Sequence, residues 1–309
     1  MGFFLETAIG GLMAGMLYSL VAIGFVLIYK ASGVFNFAHG SLVLFAALAM
    51  ARFSEWAGTV EGLDSLVLRN LVAIVATLIT LLVLAWCIQR WCLSRLVNQK
   101  PVTLLMATIG IAYMLDGVGQ LVFGSGIYKI DVGMPKNPLI LGAGMFPQGI
   151  LVNMEDAWAA VASVLMVLML AAFFRLTRWG RALRAVADDQ KAALSIGIGL
   201  ESAWLLVWFL AGLTALVAGV VWGSKLGVQF ALSYVALKAI PAVVLGGLTS
   251  IPGAIVGSVI VGVGEKLTEV YLGPHVGGGI EIWFAYVLAL ALLLVRPQGL
   301  LGEKIIDRV

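Results

Sequence analysis

The stretch Ser32–Phe45, SGVFNFAHGSLVLF, is a polar interruption between two long apolar parts of the chain. It contains His39, one of only two histidines, with Asn36 three residues before it and Gly40 directly after it. Inside a membrane, polar groups without partners cost several kcal/mol, so they occur there only where protein or water satisfies them. If the flanking runs lie in a membrane, this stretch predicts a structured break between two spans, and we expect Gly40 to let the backbone turn.

The composition places the flanking runs in a membrane. Of the 309 residues, 62% are hydrophobic and 11% charged, whereas soluble proteins have about 45–50% apolar and about 25% charged residues. A helix needs about 20 apolar residues to cross the hydrocarbon core. Six runs qualify: Phe3–Tyr29, Val67–Trp91, Val102–Phe123, Ala157–Phe174, Ala203–Val221 and Ile280–Val295.

Two further apolar stretches, Gly40–Arg52 and Tyr234–Tyr271, are interrupted by polar or helix-breaking residues. We therefore predict an all-α polytopic membrane protein of about eight membrane segments, including short or broken spans near 30–52 and 234–271. No stretch is long enough for a separate soluble domain, so residues 1–309 are expected to form a single transmembrane domain with a cytoplasmic segment at 175–202.

Basic residues predict the orientation of the spans, because they are enriched in cytoplasmic loops. They cluster in two loops and the C-terminal tail: Arg90, Arg95 and Lys100; Arg175, Arg178, Arg181, Arg184 and Lys191; Arg296, Lys304 and Arg308. The loop 124–156, with only Lys129 and Lys136 as bases, is then external. The region 234–271 must cross an even number of times, which a hairpin broken at Gly246–Gly253 satisfies. A similar hairpin at Tyr29–Arg52 would place Met1 outside.

Paired interrupted spans in a transporter indicate a substrate path, because freed backbone groups are tolerated only beside protein or a cavity. The candidate path residues are Asn36, His39, Gly40, Asp116, Gly246 and Gly247. Asn36 and His39 could instead only cap helix ends. Asp116, midway along its run, is an ionisable group within the membrane and so a functional candidate, although a hydrogen bond to another helix would also explain it.

The segment Gly180–Ile198, GRALRAVADDQKAALSIGI, combines a charged face with small residues. We expect a short helix along the membrane that docks into a groove of a partner protein. A solvated helix held only by lipid headgroups is the alternative. The candidate coupling residues are Gly180, Arg181, Arg184, Asp188, Asp189, Ala192, Ala193 and Gly197.

Several catalytic signatures are missing from the sequence. The dipeptide Gly-Lys does not occur, so no Walker A loop can hold ATP phosphates in this chain. There is no HExxH zinc motif and no GxSxG nucleophile motif. We therefore predict a non-catalytic transport subunit without a cofactor or metal of its own.

Four motifs carry a resemblance to a known family. They are NFAHG at Asn36–Gly40, GRALRAVADDQKAALSIGI at Gly180–Ile198, VVLGGLTSIPGAIVGSVIVG at Val243–Gly262 and LLVRPQGLLG at Leu293–Gly302. Together, these motifs resemble the branched-chain amino acid ABC transporter permease family, of the LivH type. The resemblance runs in order over nearly the whole chain.

The resemblance implies import of branched-chain or other hydrophobic amino acids, or related small amides, across the bacterial inner (plasma) membrane. It also implies partners: a second, LivM-type permease in a heterodimer, two cytoplasmic ATPase subunits that bind ATP and Mg, and a periplasmic substrate-binding protein. It makes Gly180–Ile198 the segment that contacts the ATPases. A proton-coupled secondary transporter using Asp116 or Glu265 is the alternative, and a scaffold protein would not explain the paired broken spans.

Overall fold

The architecture is taken from a computed structural model that describes residues 2–96, 99–135, 137–142 and 149–302. Three of the basic residues used to predict the orientation, Lys136, Lys304 and Arg308, lie outside those ranges, as does the side chain of Lys191.

Helices form nearly all of the regular structure in the described ranges. The helices are α1 (Gly2–Ser32), α2 (His39–Ala57), α3 (Leu66–Cys87), α4 (Pro101–Phe123), α5 (Met154–Leu176), α6 (Arg178–Asp188), α7 (Gln190–Ser195), α8 (Leu200–Leu226), α9 (Val235–Gly246), α10 (Ile251–Tyr271), α11 (Gly273–Val276) and α12 (Ile280–Val295). A π turn, Ile88–Cys92, and a 3-10 turn, Leu93–Arg95, extend α3, and a 3-10 turn, Phe230–Tyr234, precedes α9.

Among the described residues, six helices are long and apolar enough to cross a membrane: α1, α3 with its extension, α4, α5, α8 and α10. Two shorter apolar helices, Phe230–Gly246 and Ile280–Val295, accompany them. The prediction of an all-α polytopic membrane protein is confirmed. A feature that the sequence did not suggest is an antiparallel pair of strands, β1 (Pro138–Leu141) and β2 (Ile150–Asn153), in the loop expected to be external.

The two predicted breaks are present, but in the first one a different glycine from the expected one has the left-handed conformation. α1 ends at Ser32, Gly33 has a φ of 69°, and α2 then runs without interruption from His39 to Ala57. The left-handed conformation in this connection therefore belongs to Gly33, where the absence of a Cβ makes it accessible. Gly40, which we expected to turn the backbone, is helical instead.

The second break, predicted at Gly246–Gly253, is confirmed by the end of α9 at Gly246 and the start of α10 at Ile251. Local chemistry explains the start of α10. Ser250 precedes the helix, and its hydroxyl accepts a hydrogen bond of 3.0 Å from the backbone nitrogen of Gly253. Pro252 stands in the first turn, where a residue without a backbone N–H is tolerated.

The described chain divides into two compact units. Unit 1 comprises Met1–Val26, Met134–Leu165 and Ala236–Val309, and unit 2 comprises Leu27–Gly133 and Met166–Val235. Both units consist mainly of membrane-length helices, so the single permease domain stays a prediction.

In unit 1, α1 and α10 approach each other through small residues. A Cβ on Gly15 would lie 2.7 Å from the carbonyl oxygen of Ser258, and one on Gly262 would lie 2.4 Å from the backbone nitrogen of Gly15. Such contacts replace the hydrophobic driving force that is absent between helices in lipid. Beside this interface, Met13 of α1 packs with Ile150 and Val152 of the strand pair.

In unit 2, α2 is the central helix. Every residue from His39 to Ala51 is buried, because α3, α4 and α8 all pack against α2. A Cβ on Gly219 of α8 would lie 2.8 Å from the carbonyl oxygen of Val43. A helix enclosed in this way can begin with a polar motif, because neighbouring protein rather than lipid surrounds it.

Candidate functional site

The connection between α1 and α2 holds the predicted path residues Asn36 and His39, and both are fully buried. The Oδ1 atom of Asn36 accepts a hydrogen bond of 3.1 Å from the backbone nitrogen of Ala38. The carbonyl oxygen of Asn36 accepts one of 3.3 Å from the backbone nitrogen of His39. Asn36 thus forms a local side-chain turn just before α2, which begins after Ala38 without a hydrogen-bonded side-chain cap.

Residues of three further helices, α4, α7 and α8, form hydrogen bonds with this connection or with the end of α1. The backbone nitrogen of Phe37 donates a hydrogen bond of 3.2 Å to the Oγ1 atom of Thr108 in α4. At the end of α1, the carbonyl oxygen of Ala31 accepts hydrogen bonds from Gln190 Nε2 at 2.7 Å and from Trp204 Nε1 at 3.2 Å. This carbonyl belongs to the last turn of α1, where no partner within the helix is available.

Gln190 is the first residue of α7. Its contact with Ala31 means that the predicted coupling segment is hydrogen-bonded to the end of α1, eight residues before His39. Because all of these residues belong to unit 2, the structure brings part of the predicted path and the predicted coupling segment together.

The coupling segment is two helices rather than the single helix that we expected. α6 ends at Asp188, Asp189 is extended with φ −154° and ψ 108°, and α7 begins at Gln190. The Oδ1 atom of Asp189 accepts a hydrogen bond of 3.1 Å from the backbone nitrogen of Ala192. Asp189 therefore caps α7, as aspartate commonly does at helix starts, and the expectation of one continuous helix was wrong.

The exposed surface of the coupling segment carries the charged residues predicted for it, because Arg181, Arg184, Asp188 and Asp189 are all exposed. The two alanines differ. Ala192 is exposed, whereas Ala193 is only 2% exposed and packs inside the chain. Of these two, only Ala192 is available to a partner.

The two glycines of the coupling segment have structural roles. Gly180 is buried where α6 meets the end of α5, and a Cβ there would lie 2.4 Å from the carbonyl oxygen of Phe173. Gly197 has a φ of 86° and follows the end of α7, so it turns the chain towards α8.

Two apolar residues that sequence reasoning missed stand out on this surface. Leu194 is 51% exposed and Ile196 is 73% exposed, both in a segment that basic residues place in the cytoplasm. The signal was available in the sequence as isolated large apolar residues within a polar loop. Ala192, Leu194 and Ile196 are exposed within five residues of chain, and we call these three residues the coupling patch.

The α9–α10 turn in unit 1 is closed by packing. A Cβ on Gly246 would lie 2.1 Å from the carbonyl oxygen of Gly253, and one on Gly247, which has a φ of 105°, would lie 2.6 Å from the backbone nitrogen of Gly302. The carbonyl oxygens of Leu245 and Gly246 accept hydrogen bonds of 2.9 and 3.0 Å from the backbone nitrogens of Leu300 and Leu301.

This packing explains why the motifs around Gly246 and at Leu293–Gly302 both contain glycines. The segment after α12 lies on the turn and satisfies the carbonyls that α9 leaves free at its end. It also places the turn at the membrane side where Arg296 lies, which the basic residues predict to be cytoplasmic.

Asp116 is half-buried in α4, and its Oδ1 atom has no hydrogen-bond partner within the described ranges. It stands eight residues after Thr108, the residue of α4 that contacts Phe37, and this spacing corresponds to about 12 Å along a helix. Asp116 is thus separated along α4 from the α1–α2 connection.

Glu265 of α10 lies inside unit 1 rather than at an interface, because it is only 3% exposed. Its Oε2 atom accepts a hydrogen bond of 3.0 Å from the hydroxyl of Tyr18 in α1. Along α1, Tyr18 lies about one turn after Gly15 and about two turns after Gly11, the two glycines at which α1 closely approaches the backbone of α10. Glu265 therefore joins α1 to α10.

Across the described residues, no group of three or more His, Cys, Asp or Glu side chains is arranged to hold a metal ion. The described residues thus contain the buried Asn36 and His39, the exposed surface of Ala192, Leu194 and Ile196, and the hydrogen bond from Gln190 to the end of α1. Together with the membrane-length helices, they describe a polytopic membrane protein.

Comparison with known proteins agrees with this class. Residues 7–296 match the family described as branched-chain amino acid transport system / permease component, and the chain belongs to that family. It is a permease subunit of an ABC importer, a multi-pass protein of the inner membrane, and such a subunit works with ATPase and substrate-binding partners.

Curated relatives cover nearly the whole chain. The high-affinity branched-chain amino acid transport system permease protein LivH of Salmonella typhimurium is 31% identical over 99% of this chain and 98% of its own length. LivH of Escherichia coli K12 is 30% identical with the same coverage. The corresponding permease protein BraD of Pseudomonas aeruginosa is 30% identical over 99% of this chain and 98% of its own.

Proposed function

We propose that this chain moves branched-chain or other hydrophobic amino acids, or related small amides, inward across the membrane. The names of LivH and BraD, which both describe branched-chain amino acid transport, support this substrate class. ATP and Mg are bound and used by separate ATPase subunits, and this chain is itself non-catalytic. The absence of the dipeptide Gly-Lys, and hence of a Walker A loop, supports that division of labour.

The observation that supports the mechanism most directly is the hydrogen bond of 2.7 Å between Gln190 Nε2 and the carbonyl oxygen of Ala31. ATPase subunits docked on the coupling patch would move α7, and Gln190 would transmit that movement to the end of α1. The α1–α2 connection, with Asn36 and His39, begins two residues further on. Movement at an interface can reach a distant site through such a packed and hydrogen-bonded route.

The same contact bears on the orientation of the N-terminus. It places the end of α1 on the side of the coupling segment, which the basic residues predict to be cytoplasmic. Because α1 is long enough to span the membrane, Met1 would then lie outside.

We keep Asn36, His39 and Gly40 as the proposed path residues of unit 2, because they occupy a non-helical connection or the first turn after it. Gly246 and Gly247 are proposed to serve the path indirectly, by allowing the backbone contacts that close the α9–α10 turn. Asp116 stays a proposed path residue, because its Oδ1 atom has no hydrogen-bond partner among the described residues and could contact a substrate.

We further propose that a second, LivM-type permease completes the path as a heterodimer, with two cytoplasmic ATPases and a periplasmic substrate-binding protein. The exposed apolar surface of α3, α4 and α5 supports a partner or lipid on those helices.

Uptake by proteoliposomes tests this function against the proton-coupled alternative. The permease is co-expressed with a LivM-type permease and two ATPase subunits, purified, and reconstituted with ATP inside and labelled leucine with binding protein outside. We expect uptake that requires internal ATP and persists when an ionophore abolishes the proton gradient. Uptake that needs no ATP and collapses with the gradient would instead establish the secondary transporter.

A further inference from the structure

A cavity of about 340 Å³ opens at one end of unit 2. Its walls come from the end of α2, the start of α3 and the residues after α4. All three belong to the side that the basic residues predict to be external. Pockets that hold small molecules begin at about 300 Å³, so the cavity is large enough for a free amino acid.

Hydrogen bonds fix the shape of the cavity. The Nδ2 atom of Asn70 donates to the carbonyl oxygen of Asp131 at 2.8 Å, and Asn70 Oδ1 accepts from the hydroxyl of Ser54 at 2.9 Å. Tyr128 exchanges two backbone hydrogen bonds with Val228, of 3.1 and 2.7 Å. The residues after α4 are thus tied to α2, to α3 and to the segment after α8.

The lining contains charges of both signs: Glu55, Arg69, Lys129 and Asp131. Glu55 forms an ion pair with Arg52, whose guanidinium lies between the rings of Trp56 and Tyr128, 5.3 and 5.0 Å from their centroids. No comparable pair forms for Arg69 or Lys129 with any residue in the described ranges.

Arg69 is the most informative of these residues. It is half-buried, and its Nε atom is shielded from solvent without a hydrogen-bond partner among the described residues. A guanidinium favours carboxylates because its donors form a planar fork. Asp131 contributes a negative charge to the same cavity. Its Oδ1 atom accepts a hydrogen bond of 2.9 Å from the backbone nitrogen of Gly133, and its carboxylate can accept further hydrogen bonds.

We propose that this cavity is an outer binding site for a zwitterionic α-amino acid, held by the permease itself before translocation. The carboxylate of the ligand is bound by Arg69 and Lys129, and its ammonium group by Asp131. The aliphatic side chain lies against Tyr128 and Ile127, which complete the wall. The ligand class rests on the proposed function, whereas the site rests on the convergence of unpaired charges of opposite sign in one cavity.

Binding to the permease complex purified without its substrate-binding protein tests this inference. Labelled leucine is measured by equilibrium dialysis, with leucinamide, which lacks the carboxylate, and 4-methylpentanoate, which lacks the ammonium group, as competitors. We expect saturable leucine binding and at least about tenfold weaker competition by either analogue, because each loses one charge-assisted contact.

Arg69→Gln should raise the Kd for leucine about tenfold or more. Asp64→Asn is the control, because it changes an exposed charge in the nearby α2–α3 loop but outside the cavity, and it should leave the Kd unchanged. If Arg69→Gln lowers the melting temperature of the complex, Lys129→Gln, at an exposed position, takes its place. Equal leucine affinity in wild type and the cavity variant would overturn the site.

The outcome is separable from that of the proposed function. ATP-driven leucine uptake with the binding protein present, combined with no leucine binding in its absence, rejects the outer site and leaves the proposed function standing. Saturable binding of leucine without ATP-driven uptake of any amino acid rejects the proposed function and leaves the site.

Discussion

Replacing Ile196 by Ser should weaken ATPase association without unfolding the permease. Complete burial of a large aliphatic side chain contributes about 1.5–3 kcal/mol. Because Ile196 is 73% exposed in the isolated chain, docking can bury about three quarters of that surface. The expected loss is about 1–2 kcal/mol, which corresponds to an association constant lower by about 5- to 30-fold.

The structure also predicts an order of effects within the coupling patch. Leu194, at 51% exposure, has less surface left to bury, so Leu194→Ser should weaken association less than Ile196→Ser. Ala192→Trp adds bulk at an exposed position and should clash only when a partner is docked, at a cost of about 1–3 kcal/mol.

Retention of the ATPases during purification, followed by titration of the purified ATPase onto the permease in nanodiscs, measures these effects. Val276→Ser is the matched control, because Val276 is 66% exposed on the side predicted to be external. Association that is unchanged in Ile196→Ser, or equally reduced in Val276→Ser, would refute the docking surface. Thermal unfolding of each variant, expected to be unchanged, shows that the fold is intact.

Three further predictions concern internal contacts. Gln190→Leu removes the hydrogen bond to the end of α1. We expect ATPase retention to stay normal, while uptake per ATP hydrolysed falls at least about twofold in proteoliposomes. An unchanged ratio would exclude Gln190 as the link between ATPase movement and α1. Gly11→Ala places a Cβ 2.7 Å from a backbone atom of α10, whereas its neighbour Gly10 has open space. The first substitution should destabilise by about 1–3 kcal/mol in thermal or denaturant unfolding, and Gly10→Ala should not. Tyr18→Phe leaves buried Glu265 without its hydroxyl donor, and a loss of about 1–3 kcal/mol in the same unfolding assay is expected; equal stability would show that another group compensates.

Several parts of the site follow from the sequence because lipid leaves few alternatives. A backbone in hydrocarbon must satisfy its own hydrogen bonds, so long apolar runs become helices and polar or glycine-rich interruptions become breaks. This reasoning located the breaks near Ser32 and Gly246. It also placed a loop between two spans at 175–202, and the basic residues there predict that this loop is cytoplasmic.

Other predictions failed where the local backbone conformation depends on a specific contact. One helix was expected at Gly180–Ile198, but the side chain of Asp189 caps a second helix, and the sequence contains no signal that this capping outweighs continuation of α6. Gly33 rather than Gly40 turns the chain, although both glycines occupy the same polar stretch.

The sequence by itself determined the membrane location, the helical class and the positions of the interruptions, since these depend on the free energy of transfer of each segment into lipid. The tertiary structure decided which residues meet. Tyr18 and Glu265 are 247 positions apart, and Gln190 and Ala31 are 159 positions apart. It also decided that Ala193 is buried while Ala192, Leu194 and Ile196 face outward. Such pairings arise from the packing of whole helices. The spacing of apolar residues in the sequence does not specify this packing, because nearly every face of these helices is apolar.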